Sequence, residues 1–320
     1  MTGNIKQAVE ILKKGGLVCF PTETVYGLGA ALFNERAIRK IYKVKGRARN
    51  NPLIVHIADA QQLETLVGKI SQDVQKLIKK FWPGPLTIVC KRKAVVPSQV
   101  SAGLNTVAVR MPKNPVARKL IRMLGEPIAA PSANRSGRPS PTRYADVVKE
   151  LGDQVDLVLN EKPSRLGLES TVVDTTRIPF QILRPGFVTL EDLKKVVPHV
   201  QPPSAKLNPK VFRSPGVGHP HYQPSFPVVL VRSKVWKKTL SKWKNKKLRL
   251  GVFSYRKEIP AYSSIVYSRK FFGDKVEYAR NLYSNFFEAE EAGVEMLLAE
   301  SVDKKGVGLA LMDRLSRASL

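Results

Sequence analysis

Short apolar runs alternate with amphipathic segments along the first 197 residues of the chain. Runs such as "GLVCF", "LTIVCKR" and "TVAVRMP" have the length and the β-branched content of strands. Segments such as "NERAIRKIYKVKG" and "NPVARKLIRML" repeat apolar residues every three to four positions, which indicates helices that pack by one face. The alternation predicts an α/β domain built on a mixed sheet.

The pattern changes between residues 198 and 227. This stretch is rich in Pro, Ser and Gly and lacks an apolar period, which is typical of a linker. Beyond it, strand-type and helix-type segments alternate at the spacing of a small parallel sheet. We therefore predict a larger α/β domain over residues 1–200, a linker over residues 201–227, and a small Rossmann-like parallel α/β domain over residues 228–320.

Composition adds an electrostatic signal. The 320 residues carry a formal net charge of +28, which predicts attraction to polyanions such as nucleotides, RNA or anionic surfaces. An ordinary basic, solvated surface is the alternative. Cys19 and Cys90 each lie in an apolar run, which indicates buried thiols in a reducing cytosol rather than a disulfide or a zinc site. No apolar run is long enough to cross a bilayer, so we expect no membrane span.

The common nucleotide-binding motifs are missing. The chain has no GxxxxGK[ST] phosphate loop, and "GLGAAL" and "GVGLAL" each lack the third glycine of GxGxxG. Such incomplete motifs are more often packing turns between a helix and a strand than dinucleotide sites. A nucleotide site in this chain therefore requires another scheme.

Polar side chains interrupt the apolar pattern at loops and strand ends. "KVKGRARNNPL" places Lys45 and Arg47 two residues apart, where they can clasp one phosphate from two sides. "APSANRSGRPSPT" supplies short donors and acceptors beside Gly and Pro, which suits a rigid loop that grips phosphate or ribose. Arg110 and Arg184 each close an apolar strand. Each feature alone is commonly a solvated loop or strand end, but several at one open sheet edge are typical of an anion site.

Taken in order, these segments resemble a known family. "FPTETVYGLGA", "FWPGPLT", "VAVRMP", "APSANRSGRPSPT" and "STVVD" followed by "ILRPG" occur as in the YrdC-like threonylcarbamoyl-AMP synthases. The remainder resembles the long form of that family, because "SPGVGHPHYQP" looks like its connecting loop and "GLALMDRLSRA" looks like the end of its small C-terminal domain. The resemblance covers nearly the whole chain and implies an open, twisted mixed sheet around a basic cavity.

The resemblance implies an L-threonylcarbamoyladenylate synthase, a nucleotidyltransferase that forms threonylcarbamoyl-AMP and pyrophosphate from L-threonine, bicarbonate and ATP. In the family, a separate tRNA threonylcarbamoyltransferase then places the threonylcarbamoyl group on a tRNA adenosine. ATP is thus a substrate, a Mg²⁺ ion is expected on its phosphates, and we expect no metal site built by the protein itself. A cytoplasmic location follows from the same resemblance, which leaves direct contact with tRNA open.

The resemblance also assigns the site residues. Those implied to bind L-threonine are Thr24, His56, Arg110, Ala130 through its backbone, and Ser170. Those implied to bind ATP are Arg47, Asn51, Thr106, Ser132, Asn134, Ser140, Arg184 and Tyr222. Lys45 and Arg47 would be the catalytic cations, and Tyr222 would reach from the linker over the nucleotide like a lid.

Other interpretations remain open. A non-catalytic YrdC-like module that binds RNA in a basic concavity would also suit the charge of +28. A carbamoyltransferase of the hydrogenase-maturation type contains a related domain, but two lone cysteines cannot supply its zinc-finger modules. The basic stretch 234–249 is either an RNA-contacting patch in which Trp236 and Trp243 stack on bases, or an amphipathic element whose tryptophans belong to the core. Glu23 and Glu169 are the acids near the implied site. A structural role for both is the alternative to binding a metal ion.

Overall fold

The computed structural model describes residues 4–204, 222–244 and 246–319. The chain divides into two units, Met1–Ser136 with Ser140–His219, and Gly137–Pro139 with Pro220–Leu320. Most of the predicted linker, including "SPGVGHPHYQP" as far as His221, lies outside the described residues, and the predicted domain boundaries stay predictions. A search of the described helices finds none with the length and apolar character needed to cross a membrane.

The first unit is built on a nine-stranded mixed sheet. Its strands are β1 (Val18–Phe20), β2 (Gly27–Ala31), β3 (Ile54–His56), β4 (Leu86–Lys91), β5 (Thr106–Arg110), β6 (Ile128–Ala130), β7 (Leu157–Val158), β8 (Thr171–Asp174) and β9 (Gln181–Arg184). They are ordered β7-β1-β2-β6-β3-β5-β4-β8-β9 across the sheet. The pairs β1–β7, β3–β5 and β4–β8 are parallel, and the other neighbours are antiparallel. The predicted mixed sheet is confirmed.

The described part of this unit contains eight α-helices. They are α1 (Ile5–Lys13), α2 (Glu35–Lys45), α3 (Ala60–Leu66), α4 (Gln72–Phe81), α5 (Ser98–Ser101), α6 (Pro115–Leu124), α7 (Tyr144–Leu151) and α8 (Leu190–Val196), with a short 3-10 turn at Gly152–Gln154. Polar side chains cap the first turns: Asn34 begins α2 and Asn114 begins α6. Gly46, at φ 59°, ends α2 in the left-handed conformation that glycine adopts most readily, and this fixes the end of the helix at Lys45.

The two faces of the sheet differ in what covers them. Apolar residues on one face pack with α2, α4 and α8 in the largest core cluster. On the other face, α1 and α6 pack over β1, β2 and β6. A third cluster on that face consists of strand residues alone: Ile54, Val89, Ala108, Val172 and Leu183.

Polar side chains share the face of this strand-only cluster. Alternation along β5 places Thr106 and Arg110 on the side of Ala108, and alternation along β3 places His56 on the side of Ile54. The sheet thus presents an apolar floor with polar groups at the strand ends.

The glycines of "GLGAAL" form a strand in the middle of the sheet, so their interpretation as a packing turn is wrong. Strand β2 pairs with β1 and β6 over Gly27–Ala31. A Cβ atom on Gly29 would lie 2.7 Å from Cε1 of Phe20 and 2.8 Å from Cγ2 of Ile128. Glycine is required here because the Phe20 ring occupies the space above the strand.

The second unit has a four-stranded parallel sheet. Its strands are β10 (Val228–Val231), β11 (Leu250–Ser254), β12 (Ile265–Lys270) and β13 (Met296–Glu300), ordered β10-β13-β11-β12. Its helices are α9 (Trp236–Trp243), α10 (Lys275–Glu291) and α11 (Gly308–Ala318), and Ser233–Val235 is a 3-10 turn. All its strand pairs are parallel, which confirms the predicted Rossmann-like architecture.

The tryptophans of the basic stretch belong to the core of this unit. Trp236 is 1% exposed and packs with Leu240, Val252 and Leu298, and Trp243 packs against the same cluster from its edge. The interpretation of these tryptophans as core residues is confirmed. The interpretation in which both rings are available for stacking on bases is wrong.

Candidate functional site

Arg110, at the end of β5, organises the first group of predicted site residues. Its Nη1 donates to Oγ1 of Thr24 at 2.8 Å, its Nη2 to Oε1 of Glu23 at 2.6 Å, and its Nε to the carbonyl of Gly84 at 3.2 Å. The side chains of Arg110 and Glu23 are only 4% and 8% exposed. A buried, hydrogen-bonded ion pair holds the plane of the guanidinium, so Arg110 is oriented before any ligand arrives.

Glu23 has a structural role in this group. Its second oxygen, Oε2, accepts hydrogen bonds from the backbone N–H groups of Lys113 at 3.0 Å and Asn114 at 3.3 Å. Since Asn114 is the N-cap of α6, the carboxylate joins the loop after β1 to the start of that helix. Sequence reasoning identified the acid but not its partners.

His56 lies beside Arg110 across the parallel β3–β5 pair. Burial, reinforced by the positive charge of Arg110, lowers the pKa of His56 to about 3, so the imidazole is neutral. The ring meets Phe20 edge to face at 5.9 Å between centroids. Among the described residues, nothing forms a hydrogen bond with its buried Nδ1. A neutral imidazole has one nitrogen that donates a hydrogen bond and one that accepts, which suits a ligand hydroxyl or amine.

Ser170 and Arg184, predicted for different substrates, are in direct contact. The Ser170 Oγ lies 2.7 Å from Oγ1 of Thr87 and accepts from Nη2 of Arg184 at 3.1 Å. The Arg184 Nε also donates to the carbonyl of Ser170 at 3.1 Å. The serine hydroxyl is therefore held between a hydroxyl and a permanent cation, both buried.

Lys45 joins the end of α2 to the predicted nucleotide loop. Its Nζ donates to the carbonyls of Ser132, at 2.6 Å, and Asn134, while its own carbonyl accepts from the backbone N–H of Ser136 at 2.8 Å. Burial, together with the nearby charge of Arg47, lowers the pKa of Lys45 to about 7. A lysine in this state is close to half protonated at neutral pH, and an arriving anion would favour its charged form.

Hydrogen bonds between its own residues also fix the loop of Ser132 and Asn134, which Lys45 contacts. The Ser132 hydroxyl donates to Oδ1 of Asn134 at 2.5 Å, and the Asn134 amide donates to the carbonyl of Arg135 at 2.7 Å. The Ser140 hydroxyl donates to Oε1 of Glu169 at 2.5 Å. The carboxylate of Glu169 is thus a partner of Ser140.

Arg47 binds its own loop. Its Nε donates to the carbonyl of Asn51 at 3.0 Å, and its Nη2 donates to Oδ1 of Asn51 at 2.5 Å and to the carbonyl of Pro52 at 2.7 Å. Arg47 and Lys45 therefore engage different partners. The predicted clasp of both side chains on one phosphate stays a prediction.

The remaining predicted residues lie at three different places. Ala130 ends β6, opposite Ile54. Thr106 begins β5, about 13 Å from Arg110 at the usual rise of ~3.3 Å per residue, so the two residues mark opposite ends of that strand. Tyr222 belongs to the second unit, where its buried ring stacks on Tyr283 at 5.5 Å between centroids and lies 5.1 Å from the Arg314 guanidinium.

Backbone hydrogen bonds join the loops of the first unit into one polar layer. The Gly167 N–H donates to the carbonyl of Thr24 at 3.1 Å, and the Tyr26 N–H donates to that of Pro141 at 3.0 Å. These bonds hold the loops of Thr24, Ser140 and Ser170 against one another. Contacts between neighbouring side chains and loops thus link Thr24, Arg110, Ser140, Ser170 and Arg184, whereas Arg47 and Asn51 contact their own loop and Tyr222 belongs to the second unit.

Three further residues contact the site, and sequence reasoning missed them. Thr22 and Thr87 lie 2.8 Å and 2.7 Å from the hydroxyls of Thr24 and Ser170. Glu150 accepts from the Arg135 N–H at 3.2 Å and lies close enough to Lys45 to affect its charge. Thr87 is a polar position within the apolar run "LTIVC", which is a usable signal, and Thr22 lies in the polar segment "PTET" after β1. Glu150 lies in a helix and has no such signal.

The acids and thiols provide little for a metal ion. Within residues 4–204, 222–244 and 246–319, no group of three or more His, Cys, Asp or Glu side chains has the arrangement of a metal site. Cys19 and Cys90 are free and buried, and burial raises their pKa values to about 12 and about 11. The prediction of two buried thiols that are not joined in a disulfide is confirmed.

The fold and the site define a class of protein. It is a mixed-sheet α/β protein in which buried basic side chains, several hydroxyls and a neutral histidine lie at the strand ends and in the adjoining loops. Such an arrangement suits a small carboxylate ligand next to a phosphorylated one.

Similarity to known proteins identifies the family. Residues 10–186 match the Sua5/YciO/YrdC family model, described as "Telomere recombination", and residues 188–319 match the model described as "Threonylcarbamoyl-AMP synthase, C-terminal domain". The chain belongs to the threonylcarbamoyl-AMP synthase family, in the form that carries the C-terminal domain. This confirms the resemblance found in the sequence.

Relatives support this membership along the whole chain. The threonylcarbamoyl-AMP synthase of Pyrococcus abyssi is 41% identical over 98% of this chain and 94% of its own length, and that of Bacillus subtilis is 40% identical over 98% and 92%. The crystal structure of P. abyssi Sua5 complexed with L-threonine matches with a TM-score of 0.92 at 40% identity, over 98% of this chain and 94% of that one. E. coli YciO matches with a TM-score of 0.52 at 27% identity, over 57% of this chain and 88% of that one.

Proposed function

We propose that this protein forms threonylcarbamoyl-AMP and pyrophosphate from L-threonine, bicarbonate and ATP. The observation that carries the proposal is the buried Arg110–Thr24–Glu23 group beside a neutral His56. It supplies an oriented cation for a carboxylate and polar atoms for a hydroxyl and an amine. Relatives matched over nearly their full length are named threonylcarbamoyl-AMP synthases, and a crystal structure of P. abyssi Sua5 holds L-threonine.

Threonine binds in the Arg110 group. The guanidinium takes the carboxylate of threonine, because its planar fork matches a carboxylate and its charge is permanent. Thr24 and Ser170 offer hydroxyls to the threonine side chain or to its carbamate, and the backbone at Ala130 completes the site. Serine should substitute poorly, because it cannot provide the methyl group that threonine presents beside its hydroxyl.

The reaction needs little acid–base chemistry from the protein. The neutral amine of threonine combines with bicarbonate to give a carbamate and water. A carbamate oxygen then attacks the α-phosphorus of ATP, a P–O bond forms, and the bond to the β-phosphate oxygen breaks as pyrophosphate leaves. The carbamate is already an anion, so the task of the site is to hold two anions in line and to stabilise charge on the phosphoryl oxygens.

Lys45 and Arg47 supply that charge. On binding ATP, both side chains exchange the carbonyls of Ser132, Asn134 and Asn51 for phosphate oxygens, and Lys45 becomes fully protonated. The other nucleotide contacts are assigned to Asn51, Thr106, Ser132, Asn134, Ser140, Arg184 and Tyr222. To act as the lid of the site, Tyr222 would have to leave its stack on Tyr283 in the second unit.

Mg²⁺ enters with the nucleotide as MgATP. Among the described residues, the carboxylates nearest the proposed site are occupied by Arg110 and Ser140. We therefore assign the contacts of Mg²⁺ to phosphate oxygens and water.

The product and the domains have defined roles in this proposal. The product, threonylcarbamoyl-AMP, passes to a tRNA threonylcarbamoyltransferase. We accordingly assign the protein to the cytoplasm. Residues 1–200 form the catalytic domain, residues 201–227 the lid-bearing linker, and residues 228–320 the small domain.

Release of pyrophosphate from ATP tests the proposal. We expect release only when threonine and bicarbonate are both present. Lys45→Ala and Arg47→Ala should each abolish it, whereas Lys43→Ala and Arg49→Ala, which alter exposed cations of the same segment, should not. Turnover of ATP without threonine contradicts the proposal. Absence of turnover from folded protein favours the alternative, a non-catalytic RNA-binding module.

A further inference from the structure

The net positive charge of residues 220–320 is confined to one short segment. Residues 232–249, here called the basic segment, contain nine Lys and Arg residues and no acid. Residues 250–320 contain ten basic and ten acidic residues and therefore contribute no net charge. A surface that only needs to be soluble carries both signs interspersed, as residues 250–320 do. Because the basic segment carries positive charge only, we infer that it binds an anionic partner.

Helix α9 displays this charge on the side opposite the core. Trp236 and Leu240 are buried, whereas Lys237, Lys238 and Lys242 are exposed. At 100° per residue these three lysines lie within about 140° of the helix circumference. In the part of the chain that the structure describes, none of the three forms an ion pair with an acid. Their charges are therefore available to an anion in solution.

A cavity of about 560 Å³ opens beside the helix. Its walls include Leu240, Pro260 and the half-buried ring of Tyr262, and Lys237 and Lys238 also line it. The carboxylate that lines the cavity, Glu258, pairs with Lys270. Another cation, Lys244, lies 5.6 Å from the centroid of the Tyr262 ring. An apolar recess bordered by cations has the chemistry to hold an unstacked base whose flanking phosphates contact lysines.

We propose that the basic segment and this cavity form a docking surface for a folded RNA, with the phosphate backbone on the lysines and an unpaired base in the recess. Duplex DNA offers the phosphates but no unpaired base. A membrane-bound helix would need an exposed apolar face, and the apolar residues of α9 are in the core. The surface rests on charge and shape in the second unit alone and is independent of the synthase activity.

Binding of the full-length protein to a fluorescently labelled tRNA transcript, without threonine or ATP, tests this inference. We expect Lys237→Glu/Lys238→Glu/Lys242→Glu to weaken binding at least tenfold near 0.1 M salt. Each lost phosphate contact reduces the slope of log affinity against log salt by ~0.7–0.9, so the slope for this variant should be smaller by roughly two. Lys237→Gln/Lys238→Gln/Lys242→Gln, which removes the three charges without reversing them, should have an affinity between those of the unaltered protein and the Glu variant. Ser241→Phe, which fills the cavity and keeps every charge, should weaken binding to tRNA and leave binding to duplex DNA unchanged.

The matched control is Lys69→Glu/Lys79→Glu/Lys80→Glu, which makes the same change of charge at exposed positions of the first unit. It should keep most of the affinity. An equal loss in this control would show that only total charge matters and would overturn the proposal. So would tight binding to vesicles containing 30% phosphatidylserine with no binding to tRNA. Circular dichroism reports whether each variant is folded. Threonine-dependent pyrophosphate release, measured in parallel, tests the synthase proposal separately.

Discussion

Among single residues, Glu23 is central because its ion pair with Arg110 orients the guanidinium of the proposed threonine site. Glu23→Gln keeps the shape of the side chain and removes the charge that pairs with the guanidinium at 2.6 Å. We expect the KM for threonine to rise roughly ten- to a hundredfold, because a hydrogen bond between charged groups contributes about 1.5–3 kcal/mol. Steady-state kinetics with threonine varied at saturating ATP measures the effect.

The KM for ATP should change much less in this variant, since Glu23 contacts the proposed threonine site. Glu64→Gln, at an exposed carboxylate, is the control for loss of one negative charge. An equal rise in both KM values would show that Glu23 supports the whole unit and has no selective effect on Arg110.

Lys45 gives the site a pH dependence with a definite sign. Its pKa is about 7 in the folded protein and 10.5 for a free lysine, so between these values the unfolded chain holds a proton that the folded one has released. This group therefore makes folding stability rise with pH across that window. A bound triphosphate favours the charged amine, so ATP binding should take up close to one proton at pH 8.5, and affinity should decline as pH rises above 7.

Calorimetry in buffers of different ionisation enthalpy measures that proton. Lys45→Met should abolish the uptake, and Lys43→Met, at an exposed position of the same helix, should retain it. Uptake that persists in Lys45→Met would assign the proton to another group.

At the scale of elements, strand β2 depends on its glycines. Gly29→Ala would place a methyl group within 2.8 Å of both Phe20 and Ile128. We expect the free energy of unfolding to fall by about 1–3 kcal/mol, the usual cost of overpacking a core. Urea denaturation measures it. Gly68→Ala is the matched control, since no atom lies within 4 Å of the added carbon, and an equal loss there would contradict the packing argument.

The elements that sequence reasoning missed share a physical cause. Strand β2 lacks the β-branched residues that mark a strand, and its position is fixed by pairing with β1 and β6. Helix α5 has four residues and α3 has seven, too few to show a helical period. The longer helices and the apolar strands were predictable because each has a local pattern of its own.

At the scale of the whole molecule, the family motifs identified the site, but the sequence could not supply its contacts. Glu23 pairs with Arg110 across 87 residues, and Lys45 binds the carbonyl of Ser132 across another 87. Such pairings arise from the order of strands in the sheet, which no local pattern encodes. The same limit applies to the basic segment, where the pattern alone could not decide whether Trp236 is exposed or buried.

Mass spectrometry of the product formed from ATP, L-threonine and ¹³C-labelled bicarbonate is the decisive test of the proposed reaction. The account predicts a threonylcarbamoyl-AMP ion that is one mass unit heavier with the label, and its absence when threonine is omitted. A folded protein that converts ATP to AMP and pyrophosphate without carrying the labelled carbon into an adenylate would contradict the account.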